Sequence, residues 1–359
     1  MPAPSASGSG RRRSNRPTIV DVAEAAGVSL STASKALNGR DRVDPNTRRR
    51  VQETAERIGY RPNPRAQRLR TGRSQAVALI TALPASIVSE ASQLGFLLDL
   101  SMPIAQECLN HDYSLMLVPP LHHVDMLDGI DVDGAIVVDP TVEDPISRRL
   151  RDRGVRVVTV GRASDAQDGY IDRGAAGMDI MLAHLAGAGA RHVAVLLSSE
   201  SYSLTRSFRS HLDGAGPPPG TRCSIIEAPA LEGDRGGYEA TRAALAAQPD
   251  IDAVYAPLDA FAVGAAKAAR DVGRSIPEDL MVATNYDGRR AMLADPPLTA
   301  LDLDLPGLGR TAARLLFRSL TGEERPVEAA PTPRIVERGS TARESASAPL
   351  TAPEESPSR

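Results

Sequence analysis

The chain has 359 residues, a formal net charge of −3 at pH 7 and two cysteines, Cys108 and Cys223. That length allows one small and one or two medium domains with real cores. Two cysteines exclude a disulfide framework, and no run of eighteen apolar residues is available to span a membrane, so a cytoplasmic location is the simple expectation.

Residues 1–15, MPAPSASGSGRRRSN, lack the apolar stretch of a signal peptide and read as a disordered basic arm. From Thr18 to Gly39 the chain reads TIVDVAEAAGVSLSTASKALNG, two short helices joined by a tight turn. Thr18 is placed to cap the first, with Asp21 three residues on, and Ile19, Val22, Ala23 and Ala26 repeat at helical spacing. Gly27 supplies the turn, and Ser29 caps the second helix. Val28, Ala33 and Leu37 face inward, which leaves Leu30, Ser31, Ser34, Lys35 and Asn38 on the outer face. A third helix starts at Asp44-Pro45 and buries Val51, Ala55 and Ile58 before Gly59. This is a helix-turn-helix domain, expected over 16–62.

Charge is partitioned to match. Residues 11–73 hold sixteen Lys and Arg against six Asp and Glu, so the rest of the chain carries −13. A basic arm on an acidic body is the footprint of a phosphate-binding module joined to a soluble domain, and the partner this implies is double-stranded DNA. Next comes RPNPRAQRLRTGRS, with prolines at 62 and 64 and a helical pattern over Arg65–Arg70 too short to be stable alone. It is read as a hinge over 63–73. Leu69, set among arginines, has no core to join.

After Arg73 the pattern becomes alternating strand and helix. Short apolar runs fall at 76–83, 113–118, 134–138, 155–160, 192–197, 253–256 and 280–284. Continuous apolar strands suit parallel sheets covered on both faces, so an α/β body of two doubly wound parallel-sheet lobes is expected over 74–341. The N-lobe is expected at about 74–163 and 300–325, and the C-lobe at about 164–299 and 326–341. A Pro/Ser/Glu tail at 342–359 reads as disordered. Ligands of such folds sit at the carboxyl ends of strands, here in the cleft between lobes.

Enzyme signatures are missing. No Gly-x-Gly-x-x-Gly follows the first strand, and no Gly-x-Ser-x-Gly elbow is present. His122, His123 and Asp125 lack a second ligand cluster, so no metal or other cofactor is expected. Glu232–Gly237 lacks the Gly-Lys-Ser/Thr of a phosphate loop and reads as a lead into a helix beginning near Tyr238.

The segments TIVDVAEAAGVSLSTASKALNG and VDPNTRRRVQETAERIGYRPNPRAQRLRTGRS resemble the DNA-binding head and hinge of the lactose-repressor (LacI/GalR) family almost position for position. Ile276–Leu280 and PPLTALDL at 296–303 extend the resemblance along the body. It implies an all-α head on a periplasmic-binding-protein-like body, a homodimer, and binding to a palindromic operator under the control of a small effector of the sugar class. By position, Leu30, Ser31 and Lys35 would meet base edges, and Thr18, Ser29, Thr32, Asn38 and Thr47 would position phosphates. Leu69 would be the apolar wedge in the minor groove, flanked by Asn63, Ala66 and Gln67. The implied ligand groups are Asp172, Arg206, Asp259 and Asp287, with Phe96 and Tyr202, and also Phe208 and Tyr286, as stacking rings.

Three departures qualify this picture. Lys35 stands where the family usually has arginine, which weakens bidentate guanine recognition. Leu258 stands where the family has an asparagine that contacts ligand, and the first lobe lacks the usual Asn-Pro-Phe-Phe segment. Two readings therefore stay open: a repressor switched by a ligand of either sign, or a ligand-independent DNA-binding regulator with a degenerate pocket.

Overall fold

The computed structural model describes residues 17–37, 43–61, 72–84, 93–120, 123–163, 168–323 and 327–343. The chain divides into two compact units, Met1–Arg73 and Ser74–Arg359. Asn38, Asn63, Ala66, Gln67 and Leu69, the arm at 1–15 and most of the tail lie outside the described residues.

The head consists of α1 (Ile19–Ala26), α2 (Leu30–Leu37) and α3 (Pro45–Arg57). Thr18 closes a capping box with Asp21, and Gly27 takes the left-handed conformation (φ 63°) that ends α1. Ser29 Oγ accepts the Thr32 amide at 3.1 Å and starts α2. Asp44 Oδ2 does the same for the Thr47 amide at 3.0 Å, ahead of Pro45 in the first helical position. Each such cap is worth about 1 kcal/mol, a real fraction of the stability of so small a unit. The core is Val22, Ala23, Ala26, Ala33, Ala36, Val51 and Ala55. Five alanines among seven residues bring the helix axes close, with Leu37 packed at the margin and Leu30 and Lys35 of α2 left outside.

In the body, β1 (Ala76–Thr81), α4 (Gln93–Asn110), β2 (Ser114–Leu117), β3 (Gly134–Val138), α5 (Pro145–Asp152), β4 (Arg156–Val160) and β5 (Tyr170–Asp172) build the first lobe. The second follows with α6 (Ala176–Gly187), β6 (His192–Ser198), α7 (Ser203–Gly214), β7 (Arg222–Ala228), α8 (Gly233–Ala247), β8 (Ala253–Ala256), α9 (Asp259–Asp271), β9 (Met281–Thr284) and α10 (Arg289–Leu293). The chain then crosses through β10 (Ala300–Asp302) to α11 (Leu305–Leu320), β11 (Val327–Ala329) and β12 (Arg334–Val336).

The N-lobe sheet has the order β11-β5-β4-β3-β1-β2 and the C-lobe sheet β7-β6-β8-β9, and every pairing in both is parallel. Both faces of each are covered. On β1, Val77 and Leu79 pack with α4 and α11, while Ala76, Ala78 and Ile80 pack with α5 and the 3-10 turn Val124–Gly129. On β6, Ala194 and Leu196 face α8 and α9, while Val193, Val195 and Leu197 face α6 and α7. Burial on both sides is why these strands are unbroken apolar runs.

The lobe boundaries differ from those expected. β5 pairs with β4, and β11 pairs with β5, so 170–172 and 327–329 belong to the N-lobe sheet. β10 pairs antiparallel with β12, and Ala300 and Leu301 sit in C-lobe cores. These are three-residue strands defined by their neighbours, with no apolar run of their own to mark them.

α8 also begins earlier than expected, at Gly233 and not near Tyr238. Its glycines are contact points. A Cβ on Gly237 would lie 2.5 Å from Phe261 Cα, and one on Gly264 would lie 2.2 Å from the Asp234 carbonyl oxygen. Gly237 and Gly264 are where α8 and α9 touch backbone to backbone. Among the described residues, no helix is long and apolar enough to cross a membrane.

Candidate functional site

Two surfaces collect the residues singled out by sequence. The first is the outer face of α2. Ala33 and Ala36 turn inward and are fully buried, so Leu30, Ser31 and Lys35 are left on the solvent side. Leu30 is 51% exposed, which means its side chain is not spent on the head's core. An exposed leucine is ordinary by itself; here it shares one solvent-facing side of a capped helix with Ser31 and Lys35.

Around this face lie hydroxyls already held by their own caps. Thr18 Oγ1 donates to Asp21 Oδ2 at 2.8 Å, and Thr47 Oγ1 to Asp44 Oδ2 at 3.3 Å. The Ser29 and Thr32 hydroxyls share a hydrogen bond of 2.8 Å. A hydroxyl that donates to a cap still has lone pairs, and the free ends of these helices present backbone N–H groups, the usual means of gripping a phosphate. Of the three consecutive arginines on α3, Arg49 and Arg50 are exposed and Arg48 is half-buried, as helical rotation requires.

The second surface is the cleft between lobes, where strand carboxyl ends of both sheets meet. From the N-lobe come Leu83, after β1, and Asp139, after β3. From the C-lobe come Ser198, at the end of β6, and Leu258, after β8. The start of α7 adds Tyr202 and Thr205. The pocket that these residues line holds only about 20 Å³ open to water, room for about one molecule.

Its walls are tied together. Asp139, in a left-handed conformation (φ 50°), accepts from Arg173 at 3.0 Å through both carboxylate oxygens, and both side chains are about 10% exposed. Arg206 donates to the Ser201 carbonyl at 2.7 Å and to the carbonyl of Arg162 in the other lobe. Burial of this guanidinium, with Arg162 beside it, lowers its pKa.

The six ligand candidates do not converge. Tyr202 lines the cleft and Arg206 stands at its edge. Asp259 is buried as the first residue of α9, next to the lining residue Leu258. Asp287 lies apart from them in a second and larger cavity of about 530 Å³, which is also between the lobes, lined by Asp99, Met102 and Pro103 of α4 and by Tyr286 and Asp287 after β9, and it pairs with Arg338 at 2.5 Å. Asp172 is exposed at the end of β5 and accepts the Gly174 amide at 2.9 Å, a local turn.

Phe96 requires correction. It is 6% exposed in the N-lobe core and packs edge-on against Tyr286 with ring centroids 5.3 Å apart, so its faces are taken up by protein. Phe208 is likewise an internal ring, against Tyr255. Asp139, Leu83, Ser198 and Thr205 were not singled out in the sequence. The signal that could have found Asp139, Leu83 and Ser198 is their place at or just after the carboxyl end of a strand.

A helix-turn-helix head followed by a two-lobed, doubly wound α/β body defines a DNA-binding regulator with a ligand-binding-type core. Comparison with known proteins agrees. Residues 18–63 match the model of bacterial regulatory proteins of the lacI family, and residues 182–341 match a periplasmic binding protein-like domain. The HTH-type transcriptional regulator CelR of Thermobifida fusca is 29% identical over 329 residues, covering 87% of this chain and 94% of that one. Catabolite control protein A of Priestia megaterium is 27% identical, covering 85% and 93%.

Among solved structures, the complex of CelR with cellobiose superposes with a TM-score of 0.63 at 27% identity, covering 90% of this chain and all of that one. The lac repressor dimer bound to operator shares the fold, with a TM-score of 0.68 at 21% identity over 92% of this chain and all of the other. The chain carries a lacI-family helix-turn-helix domain ahead of a periplasmic binding protein-like domain and is a helix-turn-helix transcriptional regulator.

Proposed function

We propose that this protein is a cytoplasmic repressor, without enzymatic activity, that binds a palindromic operator as a homodimer and is switched by a small carbohydrate effector in the interlobe cleft. The observation that carries the DNA reading is the outer face of α2, where Leu30, Ser31 and Lys35 stand clear of the core. In a major groove Leu30 offers apolar contact to a thymine methyl, and Lys35 a point charge to guanine O6 or N7. Ser31 can donate or accept. Thr18, Ser29, Thr32, Asn38 and Thr47 set the register on the phosphates. Leu69, with Asn63 and Ala66 beside it, enters the minor groove at the operator centre.

The effector reading rests on the two-lobed fold and on the relative solved with cellobiose. Arg206 and Asp259 are the groups in or next to the cleft that would answer to it, with Tyr202 at its wall. A coupling of a few kcal/mol between cleft and head changes operator affinity by orders of magnitude. The nearly filled pocket at Tyr202 and Leu258 favour a second reading, a regulator with no effector, which operator binding indifferent to every sugar would support.

Fluorescence anisotropy on specific and scrambled DNA tests the α2 assignment. Leu30→Ala and Lys35→Ala are each expected to lose about 1–3 kcal/mol of discrimination between the two DNAs, and Leu30→Ala is expected to leave scrambled binding unchanged. Equal losses on both DNAs would remove base reading from these residues.

A further inference from the structure

The part of the cleft at the ends of β1, β3, β6 and β8 is filled by the protein's own groups. Tyr202, the residue that opens α7, is 8% exposed and packs against Leu83 of the N-lobe and Ala230 of its own lobe, with Leu258 at the margin. Its backbone forms an antiparallel bridge with Thr141 of the N-lobe. The amide of the next residue, Ser203, donates across the cleft to the Pro140 carbonyl at 2.9 Å. The Ser203 side chain sits where Gly161 has no Cβ: one built there would be 2.7 Å from Ser203 Cβ. Arg206 completes the seat by donating to the Arg162 carbonyl. Five consecutive residues of one lobe thus hold the other at four points, with a phenol ring in the middle.

We infer that Tyr202 is an internal occupant of the cleft, so that the lobes close without an effector and an effector must expel the ring to bind. This rests on the reading that the interlobe cleft is the effector site. It follows from area and polarity. The ring replaces water against Leu83 and Ala230, a favourable burial that a separate ligand would otherwise have to supply. The interlobe hydrogen bonds are made to backbone carbonyls and so do not depend on ligand chemistry. Arg206, the cationic group that an incoming ligand would seek, already has two carbonyl partners. An effector therefore competes with an intramolecular contact, and its apparent affinity falls by the fraction of time the ring is out.

The test measures the distance between lobes in the full-length protein. Spin labels at Asp152→Cys on α5 and Ala246→Cys on α8, both exposed, report one lobe each. Cys223→Ser removes the half-buried native thiol, while buried Cys108, its pKa pushed up to about 11 by burial and by Glu107, stays unreactive. Dilution into unlabelled protein isolates distances within one chain. Without effector, the Tyr202 form is expected to give one narrow distance that excess cellobiose does not shorten. Tyr202→Phe, which keeps the ring, is expected to keep it. Tyr202→Ala is expected to lengthen or broaden it by several ångströms.

A distance that shortens when cellobiose is added to the Tyr202 form would overturn the inference, because closure would then wait for ligand. So would Tyr202→Ala keeping the narrow distance. The Tyr202 form decides the matter even if the alanine variant does not fold. A failure of every sugar to alter operator binding would remove the effector reading alone, since the effector-free distance is measured independently of it.

Discussion

Gly264→Ala is expected to destabilise the body by about 3 kcal/mol or more, at or beyond the upper end of what overpacking a core usually costs. The new methyl would sit 2.2 Å from the Asp234 carbonyl oxygen and 2.6 Å from the Tyr238 nitrogen. Both are backbone atoms of α8, so no rotamer change makes room and the two helices must part. That separation would strip packing from Phe261, which is fully buried between them and the sheet. Gly237→Ala meets the Phe261 backbone from the other side and should behave alike. Gly187→Ala is the matched control. Gly187 ends α6, and a Cβ there meets nothing within 4 Å, so this change should be neutral or stabilise by about 0.4–1 kcal/mol. Urea unfolding followed by circular dichroism separates the three, and a midpoint for Gly264→Ala equal to that of the parent would refute the close contact.

Asp139→Asn should be the next most damaging change. Asparagine tolerates the left-handed backbone at this position, so the substitution removes charge without adding strain. Arg173, 11% exposed, would keep its charge and lose its carboxylate. Breaking one side of a buried pair costs about 3–5 kcal/mol, and the remaining amide oxygen places this case at the low end. Adding Arg173→Met is expected to recover part of the loss, because the stranded charge goes with it. If the double variant is no better than Asp139→Asn alone, the damage does not come from the unpaired guanidinium.

How much of this could be read in the sequence depended on whether a feature was local. Thr18, Asp21, Gly27 and Ser29 act within one or two turns of their own backbone, and each appears in the structure in the role its spacing gives it. The central strands β1, β3, β6 and β8 are covered on both faces and so are written as continuous apolar runs. β7 was missed because it is an edge strand of mixed polarity, RCSIIEA. β11 is a strand only because it finds β5, 157 residues earlier in register, and β5 in turn lies against β4, which moves the lobe boundary.

The cleft was the least legible part. Its lining comes from loops after β1, β3, β6 and β8, and no stretch of the chain carries the pattern whole. Residue type misled as well. Phe96 is an aromatic at the right end of the N-lobe that the core consumes, whereas Asp139 gives no sequence cue beyond ending a strand. Gly233, Gly236 and Gly237 read as a lead into a helix beginning near Tyr238, whereas the helix already starts at Gly233 and Gly237 is a contact point within it.

The most direct test of the central claim, that the head reads a specific DNA sequence, is fluorescence anisotropy of the full-length protein over a salt series. Intergenic DNA beside its own gene would be compared with scrambled DNA of the same length. Sequence-reading by α2 requires the intergenic site to bind about a thousandfold or more tighter at physiological salt, with a preference that survives as added salt weakens both. Equal affinities with equal, steep salt slopes, on this DNA and on fragments selected genome-wide for binding, would contradict it and leave a protein that recognises only phosphate charge.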